Sequence, residues 1–195
     1  MKDPYFDPNR GVLFNRLGIT DPGELAHAEA NFTSVRIFQL WRHPLPGRYD
    51  LPHLQAFHRH IFGDVYDWAG ELRTVTIIKG GLFCLPQHLI SAGEEVYDKL
   101  ARAEHLRGLG RPAFLDGLTK LLADINGLHP FRDGNGRTQR AFLAQFARDA
   151  GHIIRWSVMD PATNVEASRA AHRDDSTPLH EMLEQLVDHE VPHRA

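Results

Sequence analysis

The sequence predicts an all-α bundle carrying one short β-hairpin, and three observations predict it. Apolar residues recur at helical intervals along most of the chain. The pairs Asp21-Pro22 and Asp160-Pro161 read as an N-cap followed by the first helical position. One segment alone, Leu72 to Ile78, is β-branched enough to break the helical rhythm.

The elements follow in order. Asp21-Pro22 opens a helix whose expected inward stripe is Leu25, Ala28, Phe32, Val35 and Phe38, ending near Pro44. Asp50 opens the next, with Leu54, Phe57, Ile61 and Phe62 inward and Trp68 close behind. Leu72 to Ile78, a turn at Lys79-Gly80-Gly81 and Leu82-Phe83-Cys84 then make the hairpin. A lone hairpin is marginally stable, so it must pack on the bundle. A third helix carries Leu89, Ala92, Val96, Leu100 and Ala103 and should stop at Gly108. The fourth carries Phe114, Leu118, Leu121, Ile125 and Leu128 and delivers His129 to its end, where Pro130 disfavours helical geometry and breaks it. The fifth begins near Asn135 to Arg137, because Ala141, Phe142, Phe146 and Ala150 recur and Gly151 offers a C-cap. Asp160-Pro161 starts a short helix, and Leu179, Met182, Leu183, Leu186 and Val187 mark a last one.

Composition bounds the function. With 195 residues, 42% of them hydrophobic, the chain supports one core and requires no second domain. A net charge of −3 gives no support for nucleic-acid or membrane-surface binding, and a mean hydropathy of −0.37 with no long apolar run argues against a membrane span. MKDPYFDPNR does not resemble a secretory signal, and Cys84 has no intrachain partner, so a reducing cytoplasm is expected.

The chemistry is concentrated in His129-Pro130-Phe131-Arg132-Asp133-Gly134-Asn135-Gly136-Arg137-Thr138-Gln139-Arg140. Matching eight fixed positions by accident has odds of order 10⁻¹⁰. Gly134 and Gly136 permit backbone conformations that turn N–H groups toward an oxyanion, and the following helix would aim its N-terminus at the same place. Arg137 and Arg140, three apart, share a helical face and can clamp phosphate oxygens. Asp133 suits Mg²⁺, which favours one carboxylate plus phosphate oxygens, and His129 is the group able to exchange a proton near neutral pH. Singly, each of these residues reads as a cap or a surface ion pair. Jointly they read as phosphoryl or nucleotidyl transfer.

HPFRDGNGRTQR resembles, position by position, the HxFx(D/E)GN(G/K)RxxR motif of Fic-domain proteins. The likeness extends from about Asp3 to about Ser157 and includes the opening DPY, the run PGRYDLPHLQAFHRHIFGDVYDWAGELRT and the run KGGLFC. It implies a single Fic domain over 1–195, with a core over about 3–157 and a C-terminal helical extension over about 158–190. It implies a protein adenylyltransferase that moves AMP from ATP onto a Tyr, Thr or Ser hydroxyl of a target protein. By that resemblance His129 is the general base, Asp133 holds Mg²⁺, and Gly134, Asn135 and Gly136 form the anion hole. Arg137 takes the β-phosphate, Arg140 the γ-phosphate, and Phe131 anchors the loop. The hairpin becomes a flap that covers the nucleotide and docks the target by strand addition, through Ile78, Lys79, Gly80 and Gly81.

Regulation and alternatives follow from absences. Many Fic enzymes are held off by a glutamate, in an internal helix of pattern (S/T)xxxE(G/N), that pairs with the residue equivalent to Arg140. Here Thr20/Glu24, Ser91/Glu95 and Thr177/Glu181 match only the first half. The resemblance therefore points to a toxin whose brake is a separate small antitoxin supplying a glutamate to Arg140, with a degenerate brake through Glu24 or Glu181 as the weaker reading. A Doc-like kinase is disfavoured by Gly136, where that pattern carries lysine. Other nucleotide donors, a silent binding adaptor and a secreted effector remain alternatives. His53, His58 and His60, or His189 and His193, complete no zinc motif; His58 and His60 are expected to cap or hydrogen-bond inside the helix that precedes Trp68.

Overall fold

Helices α4 (Arg111–Leu128) and α5 (Asn135–Asp149) run through the centre of the molecule and are joined by the motif loop. The computed structural model describes residues 3–78 and 81–188. Around the central pair stand α1 (Pro22–Arg42), α2 (Leu51–Phe62), α3 (Leu89–Arg102), α6 (Pro161–Ala171) and α7 (Thr177–Leu186). Helix α2 packs on α1, α3 and α5, while α4 packs on α3, α5, α6 and α7. Two small antiparallel pairs complete the described residues: β1 (Phe6–Asp7) with β2 (Val12–Leu13), and β3 (Ile153–Ile154) with β4 (Val187–Asp188). The sequence pattern did not announce either pair, since strands of two residues show no alternation.

Local chemistry starts the helices where expected. Asp21, Asp50 and Asp160 accept hydrogen bonds from the N–H groups of Glu24, His53 and Thr163, at 2.9, 2.8 and 2.8 Å. Each cap satisfies an otherwise orphaned donor, worth about 1 kcal/mol. Leu54, Phe57, Ile61 and Phe62 of α2 are fully buried, as are Phe114, Leu118 and Ile125 of α4. Each such side chain contributes roughly 1.5–3 kcal/mol of burial. The core continues without interruption into α7 through Leu179 and Leu183.

Four expectations change. In α1 the buried positions are Leu25, Thr33 and Leu40, whereas Phe32, Val35 and Phe38 face solvent beside Trp41. Period alone could not say which of two apolar faces meets the bundle. Helix α3 ends at Arg102, and a turn of residues at positive φ (Glu104, His105, Leu106) precedes Gly108. Val187 leaves the last helix to pair with Ile154. The hairpin at 72–84 narrows to one antiparallel bridge, Ile78 with Leu82, and an N–H of Phe83 donating to Ile77 at 3.4 Å. Lys79 and Gly80, named as flap residues, lie outside the described residues, as do His189 and His193.

Candidate active site

His129 caps α4 in the left-handed conformation, φ 44° and ψ 58°. A non-glycine residue adopts this conformation only when its surroundings compel it. Pro130 disfavours the helical alternative. The imidazole stacks on Phe83 with ring centres 4.1 Å apart and planes 15° from parallel. Phe83 comes from the returning arm of the flap, so the expected cover lies directly over the expected base.

The loop after His129 is tied from inside. The Asn135 side chain accepts from the Phe131 N–H at 2.9 Å and donates to the Phe131 carbonyl at 2.8 Å. The Phe131 ring is buried and stacks on His58 at 3.9 Å. His58 accepts from the Gly70 N–H through Nδ1 at 2.8 Å, so Nε2 carries the proton and donates to the Asp133 carbonyl at 3.0 Å. Burial lowers the His58 pKa to about 4, which holds the ring neutral in this role. Arg132 grips Asp3 at 2.8 Å and thereby pins the N-terminal segment to the loop. His53 is likewise occupied, bonding Tyr49 N–H and the Leu45 carbonyl, and no cluster of three or more metal-ligating side chains exists among the described residues.

Gly134 stands at φ 78°, and a Cβ there would come within 2.3 Å of the Phe62 ring. Glycine is required on both counts. Gly136, by contrast, is helical, and its missing side chain leaves open space bounded by an Arg140 nitrogen at 3.3 Å. Gly136, in the first turn of α5, thus opens onto a cleft of about 1130 Å³ that is also lined by His129, Arg140, Phe83, Ser168 and His172. The N–H groups that a helix start leaves without intrahelical partners, together with the helix dipole, make this end of the cleft attractive to anions.

The two arginines behave differently. Arg140 lines the cleft, and both burial and the neighbouring Arg137 oppose its charge. Among the described residues no carboxylate pairs with it. Arg137 turns to α1, where it pairs with Glu29, donates to the Thr33 hydroxyl at 3.2 Å, and lies over the Phe62 ring at 4.8 Å. The Tyr66 hydroxyl donates to the same Glu29, so two donors hold that carboxylate. Glu24 and Glu181 are exposed, and neither bonds Arg140. Asp133 accepts from the Gly134 N–H at 2.6 Å through one oxygen. Asp133 precedes the N-terminus of α5 but does not itself line the cleft, whose lining carboxylates are Glu95, Asp116, Asp124 and Asp174. Its second oxygen is the one that could meet a cation arriving with phosphate oxygens.

The fold, the αL histidine and the helix end beside it can now be set beside other proteins. The Fic/DOC family model matches residues 48–147. The chain belongs to the Fic/DOC family. It is 40% identical over 175 residues to Protein adenylyltransferase VbhT of Bartonella schoenbuchensis, covering 89% of this chain and 37% of VbhT, so it spans little more than a third of that relative. It is 36% identical over 190 residues to Probable protein adenylyltransferase y4lH of Sinorhizobium fredii, covering 96% of this chain and 97% of that one. The N-terminal Fic domain of a VirB-translocated Bep effector protein from Bartonella quintana, solved with bound ADP, superposes with a TM-score of 0.88 at 25% identity, covering 95% of each chain. The all-α Fic fold is therefore shared.

Sequence reasoning overlooked Glu29, Tyr66, Arg73 and Phe83. Each lies 46 or more residues from the motif residue it serves, and nothing in its local pattern sets it apart. His58 was read as a capping or hydrogen-bonding group. It does hydrogen-bond, but not inside its own helix as expected: its partners are Gly70, on the loop after α2, and Asp133, in the motif.

Proposed function

We propose that this Fic-family chain is a protein adenylyltransferase, transferring AMP from ATP to a Tyr, Thr or Ser hydroxyl of a target protein. The carrying observation is the convergence of His129, the open N-terminus of α5 and Arg140 on one cleft. The names of the two adenylyltransferase relatives agree with it. His129 takes the proton as the hydroxyl oxygen attacks the α-phosphorus. The bond from that phosphorus to the pyrophosphate oxygen breaks, and the target leaves as an AMP ester. The backbone N–H groups at Asn135 and Gly136 stabilise charge on the phosphate oxygens, as fixed dipoles do in a partly closed site, and that of Gly134 joins them only by giving up its bond to the Asp133 carboxylate. Arg140 receives the γ-phosphate, and Arg137 receives the β-phosphate with the donors that Glu29 and Thr33 leave unused. Asp133 would hold Mg²⁺, which when bound neutralises the polyphosphate. The whole chain acts as one domain, with the segment after about residue 157 forming the far wall of the cleft.

The regulatory reading is that of a toxin held by a separate antitoxin in the cytoplasm. An apolar groove lined by Ile37, Leu40, Trp41, Ala141, Ala144 and Trp156 ends on Arg137 and Arg140. A partner helix bringing one carboxylate to Arg140 fits both halves of that groove, and it would displace the γ-phosphate from its guanidinium. No helix among the described residues is long and apolar enough to cross a membrane.

The test is transfer of label in a bacterial lysate from ATP marked at the α or the γ phosphate. Appearance of the α label on a protein band, lost in His129→Ala and reduced in Arg140→Ala, is the expected result. Transfer of γ label alone would make the chain a kinase and reverse the donor orientation.

A further inference from the structure

Arg73 is a buried cation with no carboxylate to answer it among the described residues. It is 2% exposed, and burial depresses its pKa. Its fork donates to four carbonyls: His129 at 2.7 Å, Val75 at 2.8 Å, Cys84 at 2.5 Å and Leu128 at 3.2 Å. Its own backbone N–H donates to Pro130 at 2.9 Å. Burying an unpaired guanidinium is costly, and an apolar residue would pack this space with less penalty. The carbonyls at the end of α4 carry the negative end of that helix dipole and offset part of the charge.

The origin of the four carbonyls is informative. Val75 belongs to the outgoing arm of the flap and Cys84 to the returning arm, while Leu128 and His129 end α4. A planar guanidinium cannot follow one of these segments without disturbing its bonds to the others. Two of its contacts also brace the strained φ of His129, through the His129 and Pro130 carbonyls. We propose that Arg73 is a positioning residue that couples the flap to the catalytic histidine, so that a target strand seated on the flap sets the orientation of His129 through the shared fork. This rests on the adenylyltransferase reading for its consequence, though not for the coupling itself. A second physical route exists, the direct stacking of Phe83 on His129, and the experiment separates the two.

The full chain is prepared as wild type, Arg73→Lys, the flap variant Ile78→Gly/Leu82→Gly, and the combination. Arg73→Lys keeps the charge and loses the fork; the glycines loosen both arms without touching Arg73 or Phe83. The readouts are the His129 ring resonance, amide exchange of residues 75–84, and kcat and KM for ATP. Loosening the flap is expected to move the His129 resonance in the wild-type background and leave it unmoved in the Arg73→Lys background, although flap exchange accelerates in both. Arg73→Lys alone is expected to lower kcat about 10–100-fold with KM for ATP within about threefold. Equal movement of the resonance in both backgrounds would overturn the proposal in favour of the Phe83 route. Should Arg73→Lys not fold, native-state exchange in the wild type decides. Coupling requires the amides of Arg73, Cys84 and His129 to open together as one unit, and separate openings would overturn it. A wild type with no His129-dependent transfer would sink the functional reading, while the resonance and exchange results would still judge Arg73.

Discussion

Across the cleft the motif loop is bonded at almost every residue, while among the described residues the flap opposite joins its two arms through one backbone bridge, a long Phe83 N–H to Ile77 bond and the Arg73 fork. Phe131 is closed by Asn135, Asp133 is held by His58, Arg132 is held by Asp3, and Gly134 is wedged against Phe62. In the flap, Ile78 and Leu82 are 72% and 54% exposed, and the bonds that anchor it run from Arg73 and from the Cys84 N–H to Gly127. On the proposed adenylyltransferase reading, the reacting groups are preorganised and the cover is left adaptable. An enzyme gains from that division, because charge stabilisation needs fixed dipoles whereas strand addition must accept varied target sequences.

The comparison can be broken from either side. The largest effect expected is on the fixed side: His129→Ala should lower AMP transfer about 10²–10⁴-fold with little change in thermal midpoint. A midpoint falling with the activity would make His129 structural instead. The next effect is a pH dependence. His58 titrates near 4 in the folded chain and near 6.5 when unfolded. The unfolded state therefore binds the extra proton first as pH falls, and the stability present above about pH 6.5 is lost on descent to about pH 4, by about 3 kcal/mol. Urea unfolding at the two pH values, beside His58→Gln, reads this directly; equal losses in both proteins would remove His58 from the scaffold of the loop. Asn135→Ala strands both polar groups of buried Phe131 and should cost about 2–3 kcal/mol in the same assay. The smallest stability change belongs to the flap. Ile78→Ala with Leu82→Ala should shift stability by no more than about 0.5 kcal/mol, while transfer to a protein target falls and KM for ATP holds. A large stability loss there would show that the flap is scaffold too.

The arginines repeat the lesson on a smaller scale. Three residues apart on α5, they read as equivalent in sequence, yet Arg137 is clamped by Glu29 and Thr33 from α1 whereas Arg140 faces the cleft without a carboxylate partner among the described residues. A helix face tells where a side chain starts, and its long-range partners decide where its charge ends.

What the sequence by itself determined is everything that nearest neighbours along the chain control. Asp-Pro starts three residues ahead of their bonded N–H groups, the break at His129-Pro130, the glycine at φ 78° and the spacing of the motif are local facts, and they appear in the structure as read. The α2 and α4 core faces were legible for the same reason, since each helix has one apolar face. Helix α1 has two, and only packing against α2 and α5 decided that Leu25 and Leu40 go in while Phe32, Phe38 and Trp41 stay out. The supports of the site were equally beyond local reading. Glu29 stands 108 residues before Arg137 and Arg73 stands 56 before His129, and a polar residue acquires its meaning there only when the fold removes water and leaves one partner within reach.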